Sequence, residues 1–197
     1  MTASSDFANS SAAVPAYPLL RNTATPANDQ YATTALGIGG NAALIGSRGH
    51  FRWEAGGDIR VNSGESREHY FYNGTDFTNA RRSGGRETIG GVYGEGAYDD
   101  GIWLATLGAR LDYWSTAQGH LEQTNRATGA VLLRDDFDSR NGTVPTARAG
   151  LRRAVFGDQY LRVAAYEGFR VPTLNELYRP FRVGNNTTNA NAGLKPE

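Results

Sequence analysis

From Tyr31 onward, apolar and polar residues alternate in stretches about 11–16 residues long, and this period of two restricts the fold more than any other feature of the chain. The clearest stretch spans residues 50–61. Phe51, Trp53, Ala55, Gly57, Ile59 and Val61 share one face, and Arg52, Glu54, Gly56, Asp58 and Arg60 share the other. A second spans 102–114, where Trp103, Ala105, Leu107, Ala109, Leu111 and Tyr113 oppose Thr106, Gly108, Arg110 and Asp112. On a helix each set would be scattered around the axis, so the period decides for strand. Four further stretches, 31–45, 88–98, 143–153 and 160–170, follow the rule less cleanly, giving six strands. Residues 1–29, rich in Ser, Ala, Asn, Thr and Pro without a period, read as a polar loop or disordered lead-in before a domain over 30–197.

The connections narrow the choice of β architecture. Tight turns at 46–49, 99–101 and 156–159 alternate with long polar stretches at 62–87, 115–142 and from 171 onward. Compact soluble domains seldom repeat loops of that length. Transmembrane barrels have this asymmetry built in, with short turns on one side and long loops on the other. Aromatics fall at the strand ends: Phe51, Trp53, Trp103 and Tyr160 lie near tight turns, with Tyr113 and Trp114 about ten residues further along the strand from Trp103. At roughly 3.3 Å per residue and a steep tilt, that separation matches the apolar band between two aromatic girdles. The expected fold is an all-β antiparallel transmembrane barrel segment of about six strands, an incomplete barrel. Arg52, Glu54, Asp58, Arg60, Arg110 and Asp112 sit mid-strand, where hydrocarbon is costly for charge, and are expected to face the lumen. The competing architecture is a soluble β-sandwich, a carbohydrate- or protein-binding module whose sheets also carry one apolar and one polar face.

Composition removes several function classes. Lys plus Arg and Asp plus Glu both number 20, so no basic excess points to nucleic acid. Cysteine is absent, which excludes disulfides, thiolate metal sites and cysteine nucleophiles. No run approaches the roughly 20 apolar residues of a transmembrane helix, and the N-terminal residues have no signal-peptide pattern. No nucleophile–base–orienter set is visible, so no enzyme, catalytic residue or cofactor is expected.

The C-terminal stretch carries a longer motif. Gly168, Phe169, Arg170, Pro172, Thr173, Glu176, Leu177 and Tyr178, followed by Leu194, Lys195, Pro196 and Glu197, resemble the TonB-dependent outer-membrane receptors. In that family a strand ending G-F-R-x-P-T-x-x-E-L-Y enters an extracellular segment, and N-x-x-L-K-P-E leads into the next strand. The resemblance spans roughly 30–197 and implies part of a 22-stranded bacterial outer-membrane barrel filled by a plug. It also implies energised uptake of a scarce nutrient such as a ferric chelate. The implied partners are outer-membrane lipid, the plug and remaining barrel, TonB, and a transported ligand that the sequence leaves unnamed. Signal peptide, TonB box, plug and closing strand are not found in the sequence, so the expectation is a receptor part that does not work alone.

Among isolated chemical features, His69, Tyr70 and Tyr72 are weak candidates to meet a chelate or metal, and a solvated loop with aromatic anchors is the preferred reading. His50 and His120 stand alone. Asp135, Asp136 and Asp138 lack the spacing of a calcium loop, and the glycines at 91, 94 and 96 lie in strand pattern rather than before a helix.

Overall fold

A computed structural model describes residues 2–12, 24–183 and 186–197. Eight strands form one antiparallel sheet: β1 (Thr2–Ala12), β2 (Ala24–Arg48), β3 (Phe51–Tyr72), β4 (Phe77–Asp99), β5 (Trp103–Asn125), β6 (Val131–Phe137), β7 (Arg140–Ala154) and β8 (Tyr160–Tyr166). Neighbours run in chain order, β1-β2-β3-β4-β5-β7-β8, with β6 pairing the far part of β5. A five-residue helix, α1 (Leu174–Tyr178), and a small hairpin of β9 (Phe181–Val183) and β10 (Asn186–Thr188) follow. No helix among the described residues is long and apolar enough to cross a membrane.

All six alternating stretches contain strands, although β8 ends at Tyr166 where the expected stretch ran to 170, and the antiparallel order places the three tight turns at one end of the sheet. There the side chains close the turns locally. Asp100 accepts from the backbone N–H groups of Ile102 (2.9 Å) and Trp103 (2.7 Å), while Gly101 adopts φ +88°.

Two of the three stretches expected as long loops, 62–87 and 115–142, are instead hydrogen-bonded hairpins. The β3–β4 pairing continues without a register shift from Phe51 opposite Tyr98 to Tyr70 opposite Asn79, leaving only residues 73–76 outside the strands. Residues 115–142 likewise hold the end of β5, all of β6 and the start of β7. The apolar period stops at about residue 61 because beyond it the outward face carries polar side chains as well; the backbone pairing continues regardless. β2 to β5 are therefore 22–25 residues long, at least twice the roughly 9–11 that cross a bilayer. The lead-in differs for the same reason. Residues 2–12 form β1, paired with β2 between Ala24 and Leu36, where a loop was expected over 1–29. Of the stretch expected as a loop from 171 onward, residues 184 and 185 lie outside the described residues.

Candidate functional site

The two faces of the sheet differ sharply where the strands alternate. Cross-strand partners share a face, so the register extends each strand's pattern across the sheet. On the outward face lie Ile38 and Leu44 of β2, Ile59 of β3, Val92 of β4, Leu107 and Leu111 of β5, and Leu161 and Val163 of β8. All are exposed, Leu107 at 68% and Val163 at 73%. No second sheet covers them, which removes the sandwich architecture. Phe51, Trp53, Tyr98 and Trp103 edge this face at the tight-turn end, and Tyr113 marks the opposite level. The ten residues from Trp103 to Tyr113 rise about 25 Å at a tilt near 40°. Trp114, expected beside Tyr113 in the girdle, has the opposite parity. It is buried on the inner face, its indole over Gly142. Beyond Tyr113 the outward face turns polar, with Glu65 bonded to Arg67 (2.5 Å) and within 3.2 Å of His120. Apolar side chains thus end where charge pairs begin.

The inner face carries the charges. Arg110 lies between two carboxylates, 2.6 Å from Asp58 and 2.6 Å from Asp112. Asp58 and Asp112 stand on either side of Gly91, and a Cβ at that position would collide with Arg110 and Asp112. Glycine at 91 therefore clears the space in which the triad closes. Glu54 and Glu95 face each other directly across β3 and β4, a like-charge pair. Tyr93 donates its hydroxyl to Glu54, and Arg148 pairs with Glu95, so both carboxylates are satisfied. Of the six charged residues expected on one face, all six share strand parity with this side. Asp58, Arg60, Arg110 and Asp112 line a cleft of about 1470 Å³, floored by the sheet and bounded by residues 168–175.

That bounding segment is the C-terminal motif, folded back onto the sheet. Thr173 caps α1 in a reciprocal box: its hydroxyl accepts from the Glu176 N–H (3.3 Å), and the Glu176 carboxylate accepts from the Thr173 N–H (2.7 Å). Arg170 bonds both Glu176 (2.9 Å) and Glu197 (2.5 Å). Arg170, with the Thr173 backbone and hydroxyl donors, holds the Glu176 carboxyl at about 2; Glu176 and Glu197 raise the Arg170 guanidinium further. The backbones of Arg170 and Glu197 exchange hydrogen bonds of 2.7 and 3.1 Å, which closes residues 171–196 into an excursion with adjacent ends. Arg170, Thr173, Glu176 and Glu197 thus form one network, although 27 positions separate its ends.

Tyr178 anchors the excursion. It is 2% exposed and stacks on Phe137 with ring centroids 5.2 Å apart. Its ring rests over Gly85 and Gly119; a Cβ on Gly85 would come within 2.8 Å of it. The register shift between β4 and β5 lies at this point, with Gln118 at φ +56° beside Gly119. An extra residue in β5 bends the strand and makes the socket. Next to Tyr178, Arg179 reaches Glu68 (3.0 Å), which also binds Arg81 (2.6 Å) and accepts from Asn28 (2.5 Å). Glu68 is 0% exposed. Burial pushes its carboxyl up, but Arg81 and Arg179 outweigh this and hold it below the ordinary carboxylate range.

The structure does not assemble His69, Tyr70 and Tyr72 into one site. His69 stacks on Tyr31 (4.4 Å) on the outward side, while Tyr70 reaches Gln123 on the inner side (2.7 Å) under Arg81. Tyr72 donates to the Gly74 carbonyl in its own turn. Sequence reasoning passed over Glu68, within that stretch, and its partners Arg81 and Arg179. The one available signal was parity: Glu68 continues the even-numbered charges Arg52, Glu54, Asp58 and Arg60 along β3.

A single sheet with an uncharged outward band between aromatic levels, the charges at that height lying on the other face, defines the wall of a transmembrane β-barrel. The chain belongs to the TonB-dependent receptor-like β-barrel family, whose model matches residues 2–197. Comparison with curated proteins and with solved structures gives no match. The family is one of outer-membrane transporters, and the chain is a receptor barrel segment.

Proposed function

We propose that this segment lines the lumen of a bacterial receptor that imports a scarce solute, such as a ferric chelate, with energy relayed by TonB. The observation that carries the reading is the sorting of charge: at the height of Trp103 to Tyr113, ion pairs occupy one face, and among the described residues the other face has none. The charged face is the lumen, against which a plug domain packs, and Arg52, Glu54, Asp58, Arg60, Arg110 and Asp112 belong to it. The TonB contact and plug lie in other parts of the receptor, so residues 1–197 alone do not transport. His69, Tyr70 and Tyr72 remain separate contacts at the rim rather than one ligand pocket.

The test is uptake by cells producing the full-length receptor. Radioactive iron is presented as citrate, catecholate and hydroxamate chelates, with cobalamin as a further probe, to strains with and without TonB. Accumulation of at least one probe that disappears without TonB supports the reading. Equal accumulation in both strains, or none of any probe, rejects it.

A further inference from the structure

We infer that residues 168–180 are a strap docked inside the barrel mouth, narrowing the passage, with the buried Glu68–Arg179 pair as its lock and the glycine socket of Tyr178 as its seat. The inference rests on the reading of the charged face as the lumen.

Three observations converge. The largest fully buried side chains among the described residues are Tyr178, Leu177 and Glu68, all at this docking site. Elsewhere the outward face is bare, so the most complete burial of large side chains lies where the strap meets the wall. The second is the fit of the wall. Gly85 and Gly119 come from adjacent strands, and any side chain on either would occupy the space of the Tyr178 ring. The bulge at Gln118 supplies the shape, and Phe137 closes the side. The third is charge. Glu68 is removed from water and answered by two guanidiniums, one from the wall and one from the strap. Taking away the strap's guanidinium would leave a buried carboxylate with half its compensation, a costly state. The docked position is therefore specified by packing and by charge together.

The position matters because of what lies behind it. Arg170, Val171, Thr173 and Asn175 of the strap form one side of the cleft whose opposite side includes Asn62, Asp58 and Arg110. The socket lies beyond Tyr113, on the side of the long hairpins. A solute entering from that side passes between the strap and the remaining wall.

The experiment uses the full-length receptor freed of other cysteines. Spin labels on Asn175→Cys in the strap and Arg86→Cys on the outward face of β4 report the strap-to-wall distance. In a separate protein, Asn62→Cys is reacted from outside with a small maleimide and with a bulky polyethylene-glycol maleimide. The unsubstituted strap is expected to give one narrow distance and labelling by the small reagent that far outpaces the bulky one. Gly119→Val fills the socket, and Glu68→Gln removes the charge while keeping the shape. Each should broaden the distance and raise bulky-reagent labelling several-fold relative to the small reagent. Glu68→Gln keeps the test decisive if Gly119→Val fails to assemble. A narrow distance in Glu68→Gln overturns the lock. A broadened distance with an unchanged labelling ratio overturns the narrowing. Either result with TonB-dependent uptake intact leaves the receptor reading standing; loss of uptake in the unsubstituted receptor rejects that reading instead.

Discussion

Leu107 and Asp112 lie five positions apart on β5 and meet opposite surroundings, one 68% exposed on the outward face and the other 2% exposed beside Arg110. Both follow from side-chain parity, yet their substitution energies have different origins. Arginine at 107 places a charge in hydrocarbon near the middle of the band, which costs about 2–4 kcal/mol in the full receptor. Asparagine at 112 leaves Arg110 with Asp58 as its remaining carboxylate, costing about 1–3 kcal/mol through an impaired buried hydrogen bond. A double-mutant cycle separates the two origins. Most of the Asp112→Asn cost should vanish once Arg110→Met has removed the shared partner, whereas the Leu107→Arg cost should persist unchanged. Unfolding equilibria in lipid vesicles measure both. An Asp112→Asn cost that is equal in the two backgrounds would show that the triad is not the source. A negligible cost for Leu107→Arg would show that β5 presents its other face to lipid.

Each strand has a legible half and an illegible half. Between the aromatic levels, lipid demands apolar residues on one face while the opposite face accepts charge, so Phe51 to Val61 and Trp103 to Tyr113 print the fold into the sequence. Above Tyr113 the outward face is polar too and the alternation lapses, so the upper parts of β3 and β4 look like loop although their pairing continues to Tyr72 opposite Phe77. β1 and β6 were hidden for the same reason. The docking site was hidden differently, because Glu68, Gly119 and Arg179 meet only through tertiary folding across 111 positions. The motif at 168–178 pointed to the family, but only the structure shows that its Arg170 and Glu176 pair with each other and its Tyr178 enters the wall. The strand order makes a directional prediction. The turns at residues 49, 100 and 157 share one end, and those at 74 and 128 share the other. In intact cells making the full receptor, cysteine at Thr128 should react with an impermeant maleimide, while cysteine at Asp100 should react only after the outer membrane is opened. Equal reaction at both sites before opening would refute this orientation.

At the scale of the whole chain, the decisive property is that the sheet does not close. Among the described residues β1 and β8 end the strand order, and each offers a row of backbone groups on its free side. In hydrocarbon no water satisfies those groups, and each left unpaired costs several kcal/mol. The apolar outward face adds a second penalty in plain buffer, because Ile38, Val92, Leu107 and Val163 stand bare with no opposing layer. Among the described residues the largest fully buried side chains, Tyr178, Leu177 and Glu68, lie at the docking site toward one end of the sheet. Residues 1–197 produced alone should therefore associate through their edges or require detergent, and should form no ligand-gated pore. Size-exclusion chromatography and a thermal melt, both without detergent, measure this directly. A broad, early-eluting species without a cooperative transition is the expected result. One sharp monomer peak with a single cooperative melt would mean that the bare face is covered in water by some packing of the chain itself, and the transmembrane assignment of that face would fall with it.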